Sequence, residues 1–276
     1  KAPNLAQIRY NAADIAHLPA ISAPPLLRDF MSFEKHLLNV FPKLNRPIPD
    51  EWYKRPVFYK GNAASIGAHK EEIEFPEYAE VLDLEFEFAI VIGKSGIDIK
   101  VENARDYIYG YTIYNDFSAR AIQSQEMSVG LGPAKGKDFS TVIGPWLVTP
   151  DELEAYKVPA KPGHVGNAYN LSMKCWVNGV EVSSGSVADM DWTFAEIIER
   201  CAYGVDILPG DVIGSGTVGT GCFLELNGTG LLNDPSFKPQ WLQEGDVVEM
   251  EITGLGRLSN TILKEPTDWS ILKLKK

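Results

Sequence analysis

The chain has 276 residues, a net charge of −11, 45% hydrophobic residues and 23% charged ones. That is enough chain to bury a large core in one extended domain or two small ones, with the composition of an ordinary soluble globular protein. The acidic balance argues against a surface built for nucleic acid or an anionic membrane, and no apolar run approaches the about 18 residues of a membrane span. The three cysteines, Cys175, Cys201 and Cys222, are scattered and form no CxxC. They read as reduced, buried thiols in a cytosolic setting, in keeping with an N-terminus that shows no basic-then-apolar leader pattern.

After a Pro-rich segment at Ala23-Pro24-Pro25, residues Phe30, Phe33, Leu37, Leu38 and Phe41 recur on one face of a helix that should stop before Pro42. Residues 42–56 are proline-rich and polar, which predicts loop. PVFYKG at 56–61 reads as a short strand ending at a glycine turn. Residues 82–92 predict one strong strand stopped by Gly93, and 107–115 a second, rich in residues that suit a pleated surface. Residues 117–122 fit a helical turn or two, 140–148 are strand-like, and Pro150-Asp-Glu-Leu-Glu opens a helix or turn. Asn178-Gly179, between 171–177 and 180–183, marks the clearest hairpin, because Asn-Gly favours a type I′ turn. Thr193-Phe-Ala-Glu196 has the form of a capping box for a helix running to about Tyr203. A turn at 208–211 precedes a short strand at 212–214, and 223–227 and 247–253 read as late strands. With no internal repeat or low-complexity linker, the expectation is a mixed α/β, β-dominated fold with few helices. Roughly residues 1–75 are expected to form an N-terminal extension on a main body of 76–276.

Three acids stand out in apolar company. Glu85 and Glu87 are two apart in a strand-like run, so they project from one face, roughly 6.6 Å apart at the backbone. Leu84, Phe86 and Phe88 would then face packing. On its own an E-x-E pair more often marks a solvated strand face. Asp116 closes an aromatic strand, where an N-cap for the next turn is the ordinary use of Asp. Together the three suggest an all-oxygen site for Mg2+, Mn2+ or Ca2+, since buried like charges need a cation between them.

The runs LDLEFEFAIVIG, GYTIYNDFSARAIQ and GLGPAKGKDFSTVIGPW are long, ordered motifs, and they resemble the fumarylacetoacetate hydrolase family from Asp29 to about Thr253. The resemblance implies that family's mixed β-sandwich roll and an acylpyruvase-like activity. It implies metal ligation by Glu85, Glu87 and Asp116, with Asp29 of RDFMSFEKHLLNV as the fourth ligand and Mg2+ as the foremost ion. His36, seven residues after Asp29, takes the place of the general base on a lid helix. Glu225 of GSGTVGTGCFLELNG takes the place of the acid that orients it, and Thr217 that of a contact to a substrate carboxylate. Gln123 and Lys137 resemble the pair that polarises the attacked carbonyl, and Tyr59 resembles a substrate-side tyrosine. Arg120 fits either a substrate carboxylate or the metal acids. The glycines at 214, 216, 219 and 221 would also allow a nest of backbone N–H groups for an anion.

The implied reaction is hydrolysis of a C–C bond in a small 2,4-dioxo acid by a cytoplasmic homodimer. The alternatives are decarboxylation of a β-keto acid of the oxaloacetate type, isomerase or hydratase chemistry on an unsaturated 2-oxo acid, and an inactive metal- or ligand-binding homologue. Met31 and Met127 stand where the fumarylacetoacetate enzyme has tyrosines, Asn62 replaces an arginine, and Asp138 a serine, so the acyl group of the substrate differs at least in its surroundings.

Overall fold

The computed structural model describes residues 9–11 and 14–266. In chain order the strands are β1 (Leu27–Phe30), β2 (Phe58–Gly61), β3 (Ile66–Gly67), β4 (Glu72–Phe75), β5 (Leu82–Asp83), β6 (Phe86–Ile92), β7 (Ile108–Asp116) and β8 (Ser118–Ala119). They continue as β9 (Thr141–Ile143), β10 (Lys157–Pro159), β11 (Asn167–Tyr169), β12 (Ser172–Val177), β13 (Val180–Ser186), β14 (Val212–Gly214), β15 (Val247–Ile252) and β16 (Gly256–Lys264). The described α-helices are α1 (Glu34–Val40), α2 (Arg120–Met127), α3 (Phe194–Ala202) and α4 (Phe223–Asn233). None of them is long and apolar enough to cross a membrane.

A seven-stranded sheet has the order β2-β1-β14-β6-β7-β9-β3, and a five-stranded sheet the order β13-β12-β15-β16-β4. The two form a β-dominated mixed fold. Side-chain alternation explains the layers. Phe86, Phe88, Ile90 and Ile92 point from β6 into the main core, where they meet Tyr111 and Ile113 of β7, residues of the second sheet such as Met173 and Met250, and α3. Small and branched residues of the opposite face, Ala89 and Val91, join a smaller cluster with Leu27, Tyr114, Ile143 and Val212. Phe88 stacks on Tyr111 with centroids 5.1 Å apart. Truncating such a buried Phe to Ala removes about 3–5 kcal/mol.

Two local signals act as expected. Asn178 and Gly179 both have positive φ, 52° and 77°, as a type I′ turn between β12 and β13 requires. Thr193 and Glu196 exchange side-chain and backbone hydrogen bonds as a capping box at the start of α3.

Other elements differ from the sequence reading. The helical pattern expected from Phe30 begins only at Glu34, and Asp29 lies in β1. There, pairing with β14 on one side and β2 on the other overrides the helical spacing. Leu38, placed on the apolar face, is 54% exposed. The strand expected over 82–92 breaks after Asp83, where β5 leaves to pair with β8, and resumes at Phe86. Of residues 140–148, only 141–143 form a strand in the large sheet, with Val148 bridging Tyr111 beyond it. The loop expected over 42–56 contains a 3-10 turn at Asp50–Tyr53.

The largest difference is at 223–227, expected as a strand and found as the start of α4. FLEL alternates, yet the Asp83 carboxylate accepts hydrogen bonds from the N–H groups of Phe223 (2.8 Å) and Leu224 (2.9 Å) and so caps a helix there. Residues up to 75 supply β1, β2 and β3 to the large sheet and β4 to the smaller one.

Candidate metal centre and base

Three strands of the large sheet, β1, β6 and β7, with β14 between the first two, and the break before β6 bring the acids together. Asp29 sits in β1 opposite Gly214 of β14, Glu87 in β6, Asp116 at the end of β7, and Glu85 in the gap before β6. The gap is fixed by the Glu85 N–H donating to Asn115 Oδ1 (3.1 Å) and by the Asp116 N–H donating to the Glu85 carbonyl (3.1 Å). One carboxylate oxygen from each of Asp29, Glu85, Glu87 and Asp116 lies within 4.8 Å of the others. Gly214 makes this possible. A Cβ there would stand 2.6 Å from Asp29 Oδ1 and 2.8 Å from Glu87 Oε2.

Burial sets the electrostatics. It pushes the carboxyls of Asp29 and Glu87 well above the usual range, and the nearby Asp116 raises Asp29 further, as Asp29 raises Glu87. Burial likewise raises Asp116, against the pull of Lys137. Glu85 goes the other way: burial opposes its charge, but Lys137 and Arg120 hold its carboxyl well below the usual range. Lys137 Nζ lies 2.6 Å from both Glu85 Oε2 and Asp116 Oδ2. The Tyr59 hydroxyl donates to Asp116 Oδ2 at 2.6 Å.

The donor set fits a hard divalent cation. All four donors are carboxylates, which suits Mg2+, Mn2+ or Ca2+ rather than soft ions. Asp29 Oδ1, Glu87 Oε1 and Asp116 Oδ1 are buried without a hydrogen-bond partner, and such oxygens are stable only beside a proton or a cation.

The base side is built on two helices. α1 packs on α4, and His36 Nδ1 lies 2.8 Å from Glu225 Oε2. Glu225, expected on periodicity alone to be an exposed strand residue, is fully buried in the first turn of α4. Its Oε1 accepts from the Thr220 N–H (2.5 Å) and from Asn39 Nδ2. A neutral His36 that donates from Nδ1 to Glu225 keeps its lone pair on Nε2.

The remaining residues fall into place around these groups. Arg120 donates from Nε to Asp83 Oδ2 (2.8 Å) and from NH1 to Gln123 Oε1 (3.0 Å), and NH1 pairs with Glu85 Oε1 at 2.6 Å. Its guanidinium is therefore engaged with the acids. Lys137 and Gln123, expected as a pair, have different partners: Lys137 the metal acids, Gln123 the Arg120 guanidinium. Thr217 is buried in the glycine-rich segment. The anion nest expected there is spent within the protein: the N–H of Gly216 donates to Glu87 Oε2 (2.9 Å), Val218 to the Phe86 carbonyl and Gly221 to the Val218 carbonyl. A cleft of about 560 Å³ lined by Lys54, Arg55, Trp192, Arg200 and Tyr203 contains none of these groups.

Two acids escaped the sequence reading. Asp83, fully buried, joins the Arg120 guanidinium to the N-terminus of α4, and so links the acid cluster to the helix that carries Glu225. Asp191 caps α1: its Oδ2 accepts from the Glu34 N–H (2.8 Å), its own N–H donates to the Ser32 carbonyl (2.8 Å), and Lys161 holds its Oδ1 at 2.7 Å. Neither acid carries a local signal, because the groups they serve are distant in sequence.

The sequence profile described as fumarylacetoacetate (FAA) hydrolase C-terminal matches residues 26–263. An oxaloacetate tautomerase of Xenopus laevis is 33% identical over 235 residues, covering 84% of this chain and 63% of that protein. A fumarylacetoacetase of Oryza sativa subsp. japonica is 30% identical over 267 residues, covering 80% of this chain and 62% of that protein. The chain thus spans about three fifths of the length of these curated relatives. The crystal structure of a fumarylpyruvate hydrolase from Pseudomonas aeruginosa, in complex with Mn2+ and pyruvate, shares the fold at 20% identity with a TM-score of 0.67, covering 92% of this chain and all of that one. The profile match spans most of the chain, and it falls on the strands and helices that carry the acids, the histidine and its partner: the chain belongs to the fumarylacetoacetate hydrolase family.

Proposed function

We propose that this chain is a metal-dependent hydrolase that cleaves a C–C bond in a small 2,4-dioxo acid, an acylpyruvate or fumarylacetoacetate-like substrate. The observation that carries the reading is the His36–Glu225 pair, 2.8 Å apart, on helices beside a four-carboxylate cluster. Asp29, Glu85, Glu87 and Asp116 would hold the divalent cation. Mg2+ is the ion we favour, and Mn2+ is the one found with the Pseudomonas hydrolase. When bound, the cation supplies a Lewis acid for the oxo and enolate oxygens of the substrate.

The protein's own residues would do the rest. His36 takes a proton from water on Nε2 while Glu225 holds the ring in one tautomer. The water oxygen attacks the distal carbonyl carbon, and Lys137 and Gln123 stabilise the oxyanion that forms. The C–C bond then breaks, its electron pair passes to the pyruvate-side carbon, and His36 returns the proton there. Tyr59 fixes Asp116, Arg120 fixes Glu85, and Thr217 contacts the substrate carboxylate. α1, in the N-terminal segment 1–75, acts as a lid that brings His36 to the metal-binding body of 76–276. The assembly we expect is a homodimer in the cytoplasm.

A second reading is keto–enol tautomerisation of a β-keto acid, favoured by the relatives named oxaloacetate tautomerases at 32–33% identity. It needs the same acids and the same histidine as proton carrier, without addition of water. The deciding experiment assays acylpyruvates, fumarylacetoacetate and oxaloacetate with Mg2+, following both product acids and loss of enol absorbance. Release of pyruvate with a second acid supports the hydrolase. Enol decay without cleavage supports the tautomerase, release of CO2 a decarboxylase, and metal binding without turnover an inactive homologue.

A further inference from the structure

Cys222 stands immediately before α4, Glu225 lies in the first turn of that helix, and His36 faces them from α1. One donor atom from each of the three lies within 4.8 Å of the others, and all three residues are buried. This donor set differs in kind from the acid cluster. Nitrogen, sulfur and oxygen together are what borderline-soft ions such as Zn2+ select, whereas four carboxylates select hard cations. Glu225 is also held ready: Thr220 and Asn39 fix its Oε1, which leaves Oε2 on the His36 side.

We propose that His36, Cys222 and Glu225 form a second metal site, inhibitory and separate from the acid cluster, that takes Zn2+ or a similar borderline-soft divalent ion. On binding, the Cys222 thiol gives its proton to solvent and the thiolate sulfur bonds the ion. Glu225 binds as a carboxylate, and His36 binds through a ring-nitrogen lone pair, its proton resting on the other ring nitrogen. Thiolate and carboxylate together cancel the charge of the ion, so the buried site is neutral when filled. The ion replaces the His36–Glu225 hydrogen bond and occupies the proton-accepting imidazole. Binding requires only the three side chains. The inhibition rests on the proposed role of His36 as base.

The test keeps those two parts separate. Protein saturated with Mg2+ is titrated with Co2+, whose bond to a thiolate gives intense near-ultraviolet absorption. The band is expected in the natural chain and in C175S and C201S, and is expected to be absent in both C222S and C222A. His36→Gln, which removes a second donor, should weaken Co2+ binding at least tenfold. Calorimetry should find one Zn2+ per chain beyond the Mg2+, displacing Co2+. No substrate enters these measurements, so their outcome is independent of the catalytic reading. With substrate, Zn2+ should lower turnover of the natural chain more than tenfold at saturating Mg2+, reversibly on chelation, and leave C222S unaffected. Absence of the Co2+ band in the natural chain, or its survival in C222S, overturns the site. A Co2+ band that depends on Cys222 without Zn2+ inhibition retains the site and overturns its inhibitory role.

Discussion

Glu87→Gln separates two effects that the acid cluster combines. With the cation bound, Glu87 contributes a full negative charge at contact. Two unit charges 4 Å apart interact by about 4 kcal/mol at an effective dielectric near 20, and a doubly charged ion at shorter range gains at least that. Part is offset because burial and Asp29 push the Glu87 carboxyl well above the usual carboxylate range without the ion, which opposes its binding as a carboxylate. A net loss of roughly 3–4 kcal/mol, two to three orders of magnitude in Mg2+ or Mn2+ affinity, is expected. Without the ion the sign reverses. A glutamine carbonyl still accepts from the Gly216 N–H, which donates to Glu87 at 2.9 Å, and its amide can donate to Asp29. Removing one of several crowded, buried acids should then stabilise the metal-free protein by about 1–2 kcal/mol, a rise in Tm of roughly 2–6 °C. Calorimetric titration reads the first effect, and thermal melts in chelator the second. Metal affinity within threefold of the natural chain, or a metal-free variant that melts lower, would refute the reasoning.

Four further outcomes test other parts of the site. His36→Ala should lower hydrolysis by about 10²–10⁴ while leaving Mg2+ affinity within twofold, and unchanged turnover would remove His36 from the chemistry. Asp191→Ala strips the cap from α1, which should lower stability by about 1 kcal/mol; if α1 positions His36, kcat falls more than KM changes, and a pure stability loss with normal kcat would make the cap merely structural. Gly214→Ala places a Cβ 2.6 Å from Asp29 Oδ1 and should abolish metal binding by calorimetry in a chain that still folds by circular dichroism. Metal-free stability should fall as pH rises above about 4.5. Asp29 and Glu87 keep their protons in the fold after the unfolded chain has lost them, so the unfolded state gains relative stability until their raised pKa values are passed. Glu85, held low by Lys137 and Arg120, acts in the opposite sense only at lower pH. Denaturant midpoints in chelator that climb as pH rises from about 4.5 would contradict this assignment.

What the sequence made legible was local. The Asn178-Gly179 turn and the Thr193 capping box each depend on neighbours within a few residues and appear as read, as does the strand over 82–92 from Phe86 onward. Failures came where a distant partner decides. Asp29 carries a helical spacing but lies in a strand, because its backbone faces Tyr59 and Gly214. FLEL at 223–226 fits a strand or a helix equally, and the choice falls to the carboxylate of Asp83, 140 residues earlier. For the same reason Glu85 and Glu87 could be paired from their spacing, whereas His36 and Glu225, 189 positions apart, could be paired only through the family resemblance.

The two halves of the site rest on supports of different stiffness. Asp29, Glu87 and Asp116 sit on β1, β6 and β7 of one sheet and Glu85 just before β6, and Gly214 on the strand between β1 and β6 leaves the space in which they converge. A cation held there is held by the core. His36 instead depends on α1, a seven-residue helix fixed at its N-terminus by Asp191 and on its inner side by Glu225. On the proposed reading, whether water is added or a proton is merely moved would depend on where the second half holds the imidazole. In this chain the residues that place His36 are Glu225, which it touches directly, Asn39, which holds Glu225, and Asp191, which caps α1.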